Sequence, residues 1–314
     1  VATQYHRGER AVQDRAELTR QAAHTLAVIK AVIPPVAAAF LAEQPMIIVG
    51  GTDAAGRIWA SQLTGDPGFL SVPDPHTLTV DALPLADDPL AEVLGGGPAL
   101  VGMIAIEPAS RRRMRINGRA TPMAGGLRVE PDQVISNCPK YIQRRNFRIL
   151  RDPNDAEPAQ QAATRDATRT VTRGTALTMK QQLTLSTADT FFVATSDELG
   201  NTDASHRGGN PGFIQVLSPT VLRWPDYAGN AMFLTLGNLE LNSSAGLLVP
   251  DWDTGTTLHL SGSARTIWDP DEIARFPGAQ RLVEFTVTDV VEIPDAVPLR
   301  WSEPDYSRFN PPVS

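Results

Sequence analysis

The sequence predicts a mainly β protein with flanking helices (α+β), built from two copies of one small barrel. The first sign is a repeat. An offset of 144 positions (205 − 61) lays residues 49–78 on 193–222 without a gap, and 12 of those 30 positions are identical. The second sign is pattern, since each copy shows about six short strand-like runs with one inserted helix, as small barrels do. The third is size. A chain of 314 residues with 42% hydrophobic and 20% charged residues suits two domains of about 150 residues.

The elements follow in order. Helical spacing of Ala11, Val12, Leu18, Ala22, Leu26 and Ile29 predicts a helix over 9–31, ended by Pro34-Pro35, with a short second helix over 36–42. Strands are expected at 46–50, 58–63, 69–72, 77–80, 100–106 and 113–120, interrupted by a helix near 88–94. The second copy repeats this with strands at 191–195, 202–206, 213–217, 221–224, 246–250, 256–266 and 282–293 and a helix near 231–241. The domains are therefore 1–150, a polar connector over 151–180, and 181–314 with an extended proline-containing tail from Pro294.

Composition bounds the function. A net charge of −7 argues against a dedicated nucleic-acid binder, which needs a basic face. The longest apolar run, Leu26 to Leu41, is cut by two prolines, so no membrane span is expected. One cysteine, Cys138, excludes an intrachain disulfide and suits a cytoplasmic protein; without paired ligands it also excludes a zinc site, and no metal is expected. Cys138 has no histidine near it in sequence and reads as buried and inert.

The copies differ where chemistry would sit. Ser205-His206-Arg207-Gly208-Gly209 stands where the first copy has Ser61-Gln62-Leu63-Thr64-Gly65. A hydroxyl, an imidazole and a guanidinium beside two glycines offer polar donors on a backbone that a ligand can approach. A solvated hairpin is the plainer reading of the same residues. Trp224-Pro225-Asp226-Tyr227 leads to Asn230, an expected helix N-cap whose free N–H groups could hold a phosphate. Lys140 and Arg144-Arg145, in the stretch that closes the first copy, could reach a phosphate across the domain interface or be ordinary surface charge. The run Arg111-Arg112-Arg113 with Arg115 reads as a solvated strand edge or as ion-pair partners.

Taken together, Asp189 to Thr195, Ser205 to Phe213, Trp224 to Tyr227 with Gly229-Asn230, Thr235 to Asn238, Tyr5 to Glu9 and Asn137 to Gln143 resemble the pyridoxamine 5′-phosphate oxidase-like flavin-binding split barrels. The resemblance implies duplicated six-stranded Greek-key split barrels forming an intrachain pseudo-dimer, with FMN, or FAD as second candidate, held where they meet. It implies that Ser205, Arg207, Gly208 and Gly209 face the flavin, with Trp224, Asn230 and Asn238 on its ribityl-phosphate side. Lys140, Tyr141 and Gln143 would reach in from the other copy. Met232 stands where related sequences often carry a basic residue. The implied activity is a flavin-dependent oxidoreductase on a small organic substrate, with His206 and Arg207 as catalytic candidates: His206 exchanging a proton, Arg207 stabilising the reduced ring. A homodimer of such pseudo-dimers is a further expectation. The competing readings are a non-catalytic flavin or haem carrier on the same fold and a cofactor-free structural pseudo-dimer.

Overall fold

The computed structural model describes residues 4–137, 139–150 and 169–313. Cys138 and most of the expected connector, 151–168, lie outside them. The helix expected over 9–31 is two, α1 (Arg7–Arg15) and α2 (Thr19–Leu26), because Glu17 takes a positive φ of 58° between them. Then come α3 (Pro35–Ala42), β1 (Met46–Thr52), β2 (Ile58–Thr64), β3 (Leu70–Asp74), β4 (Thr77–Val80), α4 (Ala91–Gly96), β5 (Ala99–Glu107), β6 (Arg112–Met123) and β7 (Gly126–Asn137). Two short strands, β8 (Phe147–Ile149) and β9 (Thr172–Gly174), lead to α5 (Met179–Thr187). The rest is β10 (Thr190–Ser196), β11 (Thr202–Gly208), β12 (Gln215–Ser218), β13 (Val221–Tyr227), α6 (Leu234–Leu241), β14 (Ser244–Pro250), β15 (Thr257–Ile267), α7 (Pro270–Ile273), β16 (Ala279–Ile293) and β17 (Leu299–Trp301).

Two large antiparallel sheets result, and they have one strand order. The first runs β2-β1-β5-β6-β7-β4-β3 and the second β11-β10-β14-β15-β16-β13-β12. Each path holds seven strands, not six, and neither is closed by hydrogen bonds between its end strands. The strand that sequence reading omitted is β7. Pro131 sits inside it, which argues against a strand, but the proline faces Gly118 at a β-bulge where a missing N–H is tolerated. The second sheet has its bulge at the same place, between Ser261 and Gly262.

Each sheet wraps its own core. Ile47, Val49, Trp59, Leu63 and Met103 are buried in the first, and Phe191, Val193, Trp224, Leu247 and Phe285 in the second. Strand alternation puts the intervening residues on the opposite faces, where the sheets meet. Ile48, Ala60 and Ile104 pack there with Phe192, Ala204 and Leu248 in a third apolar cluster. The contact is reciprocal. A Cβ on Gly102 would lie 2.5 Å from Asp203 Cα, and one on Gly246 would lie 2.6 Å from Trp59 Cα, so the 144-residue offset exchanges the two contacts. Gly50 and its counterpart Ala194 meet each other. This is the self-complementary pattern of a twofold interface.

The C-terminal tail does more than lie on the surface. Val297, Leu299 and Trp301 are buried in the central cluster, and β17 pairs with β8. The tail thus ties the end of the first half to the second.

Candidate functional site

β11 carries the differing residues in the second half, and β6 of the first half faces it. Between them lies a cavity of about 100 Å³ whose walls include Arg113, Arg115, Lys140, His206, Arg207 and the start of α6. Period-two alternation explains the basic wall: Arg113 and Arg115 share one face of β6, two residues apart. Of the two expectations for this run, a solvated edge or ion-pair partners, the second holds for Arg115, which is 8% exposed and pairs with Asp203, while Arg113 is half-buried.

The side chains form one network. Arg115 donates through Nη1 to both oxygens of Asp203 (3.1 and 3.0 Å) and through Nη2 to Ser205 Oγ (2.7 Å). Arg207 Nη1 donates to the same hydroxyl oxygen at 2.6 Å. Arg113 Nη1 donates to His206 Nδ1 at 2.8 Å. A guanidinium only donates, so His206 Nδ1 presents its lone pair and the ring proton resides on Nε2. Burial first, then Arg113, Arg207 and Arg115, hold the imidazole pKa well below its ordinary value, so the ring stays neutral. His206 Nε2 and Arg207 Nε are both buried without a protein partner. Buried donors of this kind point to an acceptor-bearing ligand or an ordered water.

The start of α6 adds to this. Asn230 does not cap it. Its Oδ1 accepts from Met232 N (3.1 Å), and the N-cap position belongs to Phe233, in the left-handed region at φ 59° and with no side-chain cap. Leu234, Thr235 and Leu236 line the cavity, so the uncapped first turn presents its N–H groups and positive dipole end there.

The remaining candidates divide. Lys140, Tyr141, Gly208 and Asn230 line the cavity. Gly208 is glycine because a Cβ would run into the carbonyl oxygen of Tyr141, which crosses β11 from the first half. Tyr141 OH donates to Ala228 O (3.0 Å), and its ring lies 5.1 Å from that of Tyr227. Gln143 is a clamp: Nε2 donates to Tyr141 O and Gly209 O (3.1 Å each), and Oε1 accepts from Ser307 N and Asn310 Nδ2 (2.9 Å each). Gly209 belongs to the tight turn against Phe213. Trp224 is placed in the second core, edge-on to Phe191 at 5.0 Å, and not on the cavity wall. Asn238 is also elsewhere, with Oδ1 3.1 Å from His6 Nε2 and Nδ2 donating to Thr195 Oγ1 at 3.1 Å. Sequence reading missed Arg113, Arg115, Asp203 and Thr235. The first two carried a signal: their counterparts 144 positions on are Thr257 and His259, so the basic pair occurs in one copy alone.

The equivalent place in the first half is furnished differently, and Gln62, the counterpart of His206, keeps a buried Oε1 without a protein partner. Ser61 Oγ donates to Asp88 Oδ1 (2.5 Å), which also accepts from Leu90 N (2.9 Å). His259 is held by Ala60 O and Thr257 Oγ1, both at 2.9 Å. Leu63, the counterpart of Arg207, is core at 1% exposure.

No family model and no curated protein matches the chain. Among solved structures it is similar to a candidate pyridoxamine 5′-phosphate oxidase from Lactobacillus delbrueckii (21% identity, TM-score 0.31, 37% of this chain and 93% of the other). It is also similar to an FAD binding protein from Mycobacterium smegmatis (13%, 0.28, 38% and 99%). A third is a pyridoxamine 5′-phosphate oxidase-related, FMN binding protein from Nostoc punctiforme (12%, 0.27, 40% and 91%). Each match covers one half of the chain or less. Among the described residues, no helix is long and apolar enough to cross a membrane, and no group of three or more His, Cys, Asp or Glu side chains could hold a metal ion.

Proposed function

We propose that the chain is two unequal copies of a split barrel forming a pseudo-dimer, and that it is a flavin-dependent oxidoreductase acting on a small organic molecule. FMN is the first candidate cofactor. The observation that carries the reading is the cluster of donors between the halves: Arg113, Arg115 and Arg207 with the His206 Nε2–H, beside an uncapped helix start.

The donor set fits a flavin's phosphate or the carbonyl edge of its ring, both rich in acceptors. The enclosed volume of about 100 Å³ fits only that part, since pockets enclosing a whole ligand of this size run to about 300–1,000 Å³. The remainder of the cofactor would lie over the rim, where Ala228 and Gly229 are exposed and Tyr141 and Tyr227 offer ring faces. When bound, flavin supplies electron transfer to or from an organic partner. The chain's residues hold and orient it. Arg207 and Arg115 place positive charge where negative charge gathers on the reduced ring or the phosphate. His206 donates from Nε2 as a fixed neutral group and is not positioned to exchange a proton at neutral pH.

A second reading, a flavin carrier without turnover, is favoured by two cavity groups held away from neutrality: burial and neighbouring cations hold His206 well below its ordinary range, and burial pushes Tyr227 up to about 12. Equilibrium dialysis with FMN, followed by reoxidation of the reduced holoprotein with quinone or O2, separates the two. Arg207→Leu installs the residue of the other copy. It is expected to weaken FMN binding about ten- to a hundredfold, the worth of one charge-assisted hydrogen bond. Unchanged affinity in a folded variant places the flavin elsewhere, and a wild-type protein that takes up no flavin leaves the cofactor-free reading.

A further inference from the structure

The Arg115–Asp203 pair divides the basic cavity from a second one of about 300 Å³. Its charge is the reverse. Glu9 from α1, Asp132 from β7, and Asp197 and Asp203 from the β10–β11 hairpin line it, and no lysine or arginine does. His6, the remaining titratable group in the wall, is neutral. Its Nδ1 accepts from Gly8 N and Glu9 N (3.1 and 3.4 Å), its Nε2 meets Asn238 Oδ1, and burial lowers its pKa.

Asn117 gives an independent sign of a ligand. It lines the cavity and is 8% exposed, its Nδ2 donates to Gln133 Oε1 (3.2 Å) and Asp203 Oδ1 (3.3 Å), and its Oδ1 accepts nothing. A buried acceptor left unfilled calls for a donor. The opposite character is also present, because Leu100, Leu199 and Leu234 complete the wall, with Leu199 76% exposed at the rim. The acceptors do not suit a metal ion, since no three acidic or imidazole groups among the described residues converge on one point.

We propose that this cavity binds a protonated aliphatic diamine, one ammonium group among Glu9, Asn117 and Asp203, its carbon chain against the three leucines and its second ammonium beside Asp132 at the rim. Glu9 couples binding to a proton. Burial pushes its carboxyl up to about 8; a hydrogen bond from His6 N opposes this, while the neighbouring Asp203 and Asp197 add to it. Arg10 on the same helix lowers it, Arg115 is engaged by Asp203, and Asp132 adds a further carboxyl on the cavity wall. Glu9 is thus protonated at neutral pH, and an arriving ammonium ion drives that proton off.

The inference stands apart from the flavin reading, because it concerns a different cavity. Its test is calorimetric titration of the full chain with putrescine at neutral pH, in two buffers of different ionisation enthalpy, with 1-butanol and MgCl2 as comparators. The expected result is saturable binding of one putrescine with release of up to one proton, and no saturation with 1-butanol or Mg2+. Glu9→Gln should weaken binding by about tenfold or more and abolish the proton release. Asp132→Asn, at the exposed rim, should weaken it a fewfold in a protein whose folding is not at stake. No saturable putrescine binding, equal binding of 1-butanol or Mg2+, or affinity unchanged in Asp132→Asn and in folded Glu9→Gln would overturn the proposal.

Discussion

His206 Nδ1 accepts from Arg113, and three guanidinium groups surround the ring. Its protonation state therefore follows from contacts that no local sequence pattern displays. Nitrogen-15 NMR of the histidine ring should show the neutral Nε2–H form persisting well below pH 6.5, near which a free histidine titrates. In Arg113→Leu, which removes the first-named of those cations, the ring pKa should rise towards its ordinary value; a wild-type ring already titrating near 6.5 contradicts the network. The legible part of this site was the identity of Ser205, His206 and Arg207, because their counterparts Ser61, Gln62 and Leu63 carry neither the imidazole nor the guanidinium. What sequence could not display was facing. Trp224 belongs to a motif-like stretch, yet it points into the core while Arg223, one residue away, pairs with Glu272 and Glu284. For Arg113 and Arg115 sequence left edge charge and ion pairing both open, because the strand that supplies Asp203 and His206 opposite them was unknown.

Two stretches that read as separate motifs, Tyr5 to Glu9 and Thr235 to Asn238, prove to be one packing contact between α1 and α6. A Cβ on Gly8 would meet the Gly237 carbonyl oxygen, and a Cβ on Gly237 would lie 2.6 Å from Glu9 Cα. Gly237→Ala should therefore cost about 1–3 kcal/mol by overpacking, read as a lower denaturant midpoint at constant slope. Glu9, at 2% exposure under that contact, gives the folded protein a pH dependence. Unfolded it ionises near 4.5, and folded it holds its proton up to about 8. Its contribution to stability is fully present below the lower value and is lost as pH rises through the upper one. Thermal unfolding should show wild type losing stability between about pH 5 and 9 relative to Glu9→Gln; parallel curves would mean that the carboxyl is not neutral in the fold. Element boundaries were less legible than element order. β7 was lost to Pro131, whose bulge position is a property of the pairing with β6, and α6 begins at Leu234 because Ala231 and Phe233 both hold positive φ.

For the whole molecule, the repeat suggested a two-part plan, and the two large sheets share one strand order and exchange glycine contacts at the same 144-residue offset. The apolar face formed by Ile48, Ile104, Phe192 and Leu248, with the buried Arg145–Asp189 pair at 2.6 Å, means that neither half is complete alone. Residues 1–150 expressed by themselves should aggregate or stay bound to chaperone, because a large apolar patch and an unpaired buried charge are exposed together. A soluble monomeric half would contradict this. The same geometry makes the two related sites unequal. One has three guanidinium groups and an uncapped helix start; in the other, Asp88 already fills the hydrogen bonds of Ser61 and Leu90, and Leu63 is core. Native mass spectrometry of the apoprotein titrated with FMN tests this most directly. The proposed account predicts saturation at one FMN per chain, lost or strongly weakened in Arg207→Leu, whereas saturation at two FMN per chain, or one FMN retained at full affinity in that variant, would contradict it.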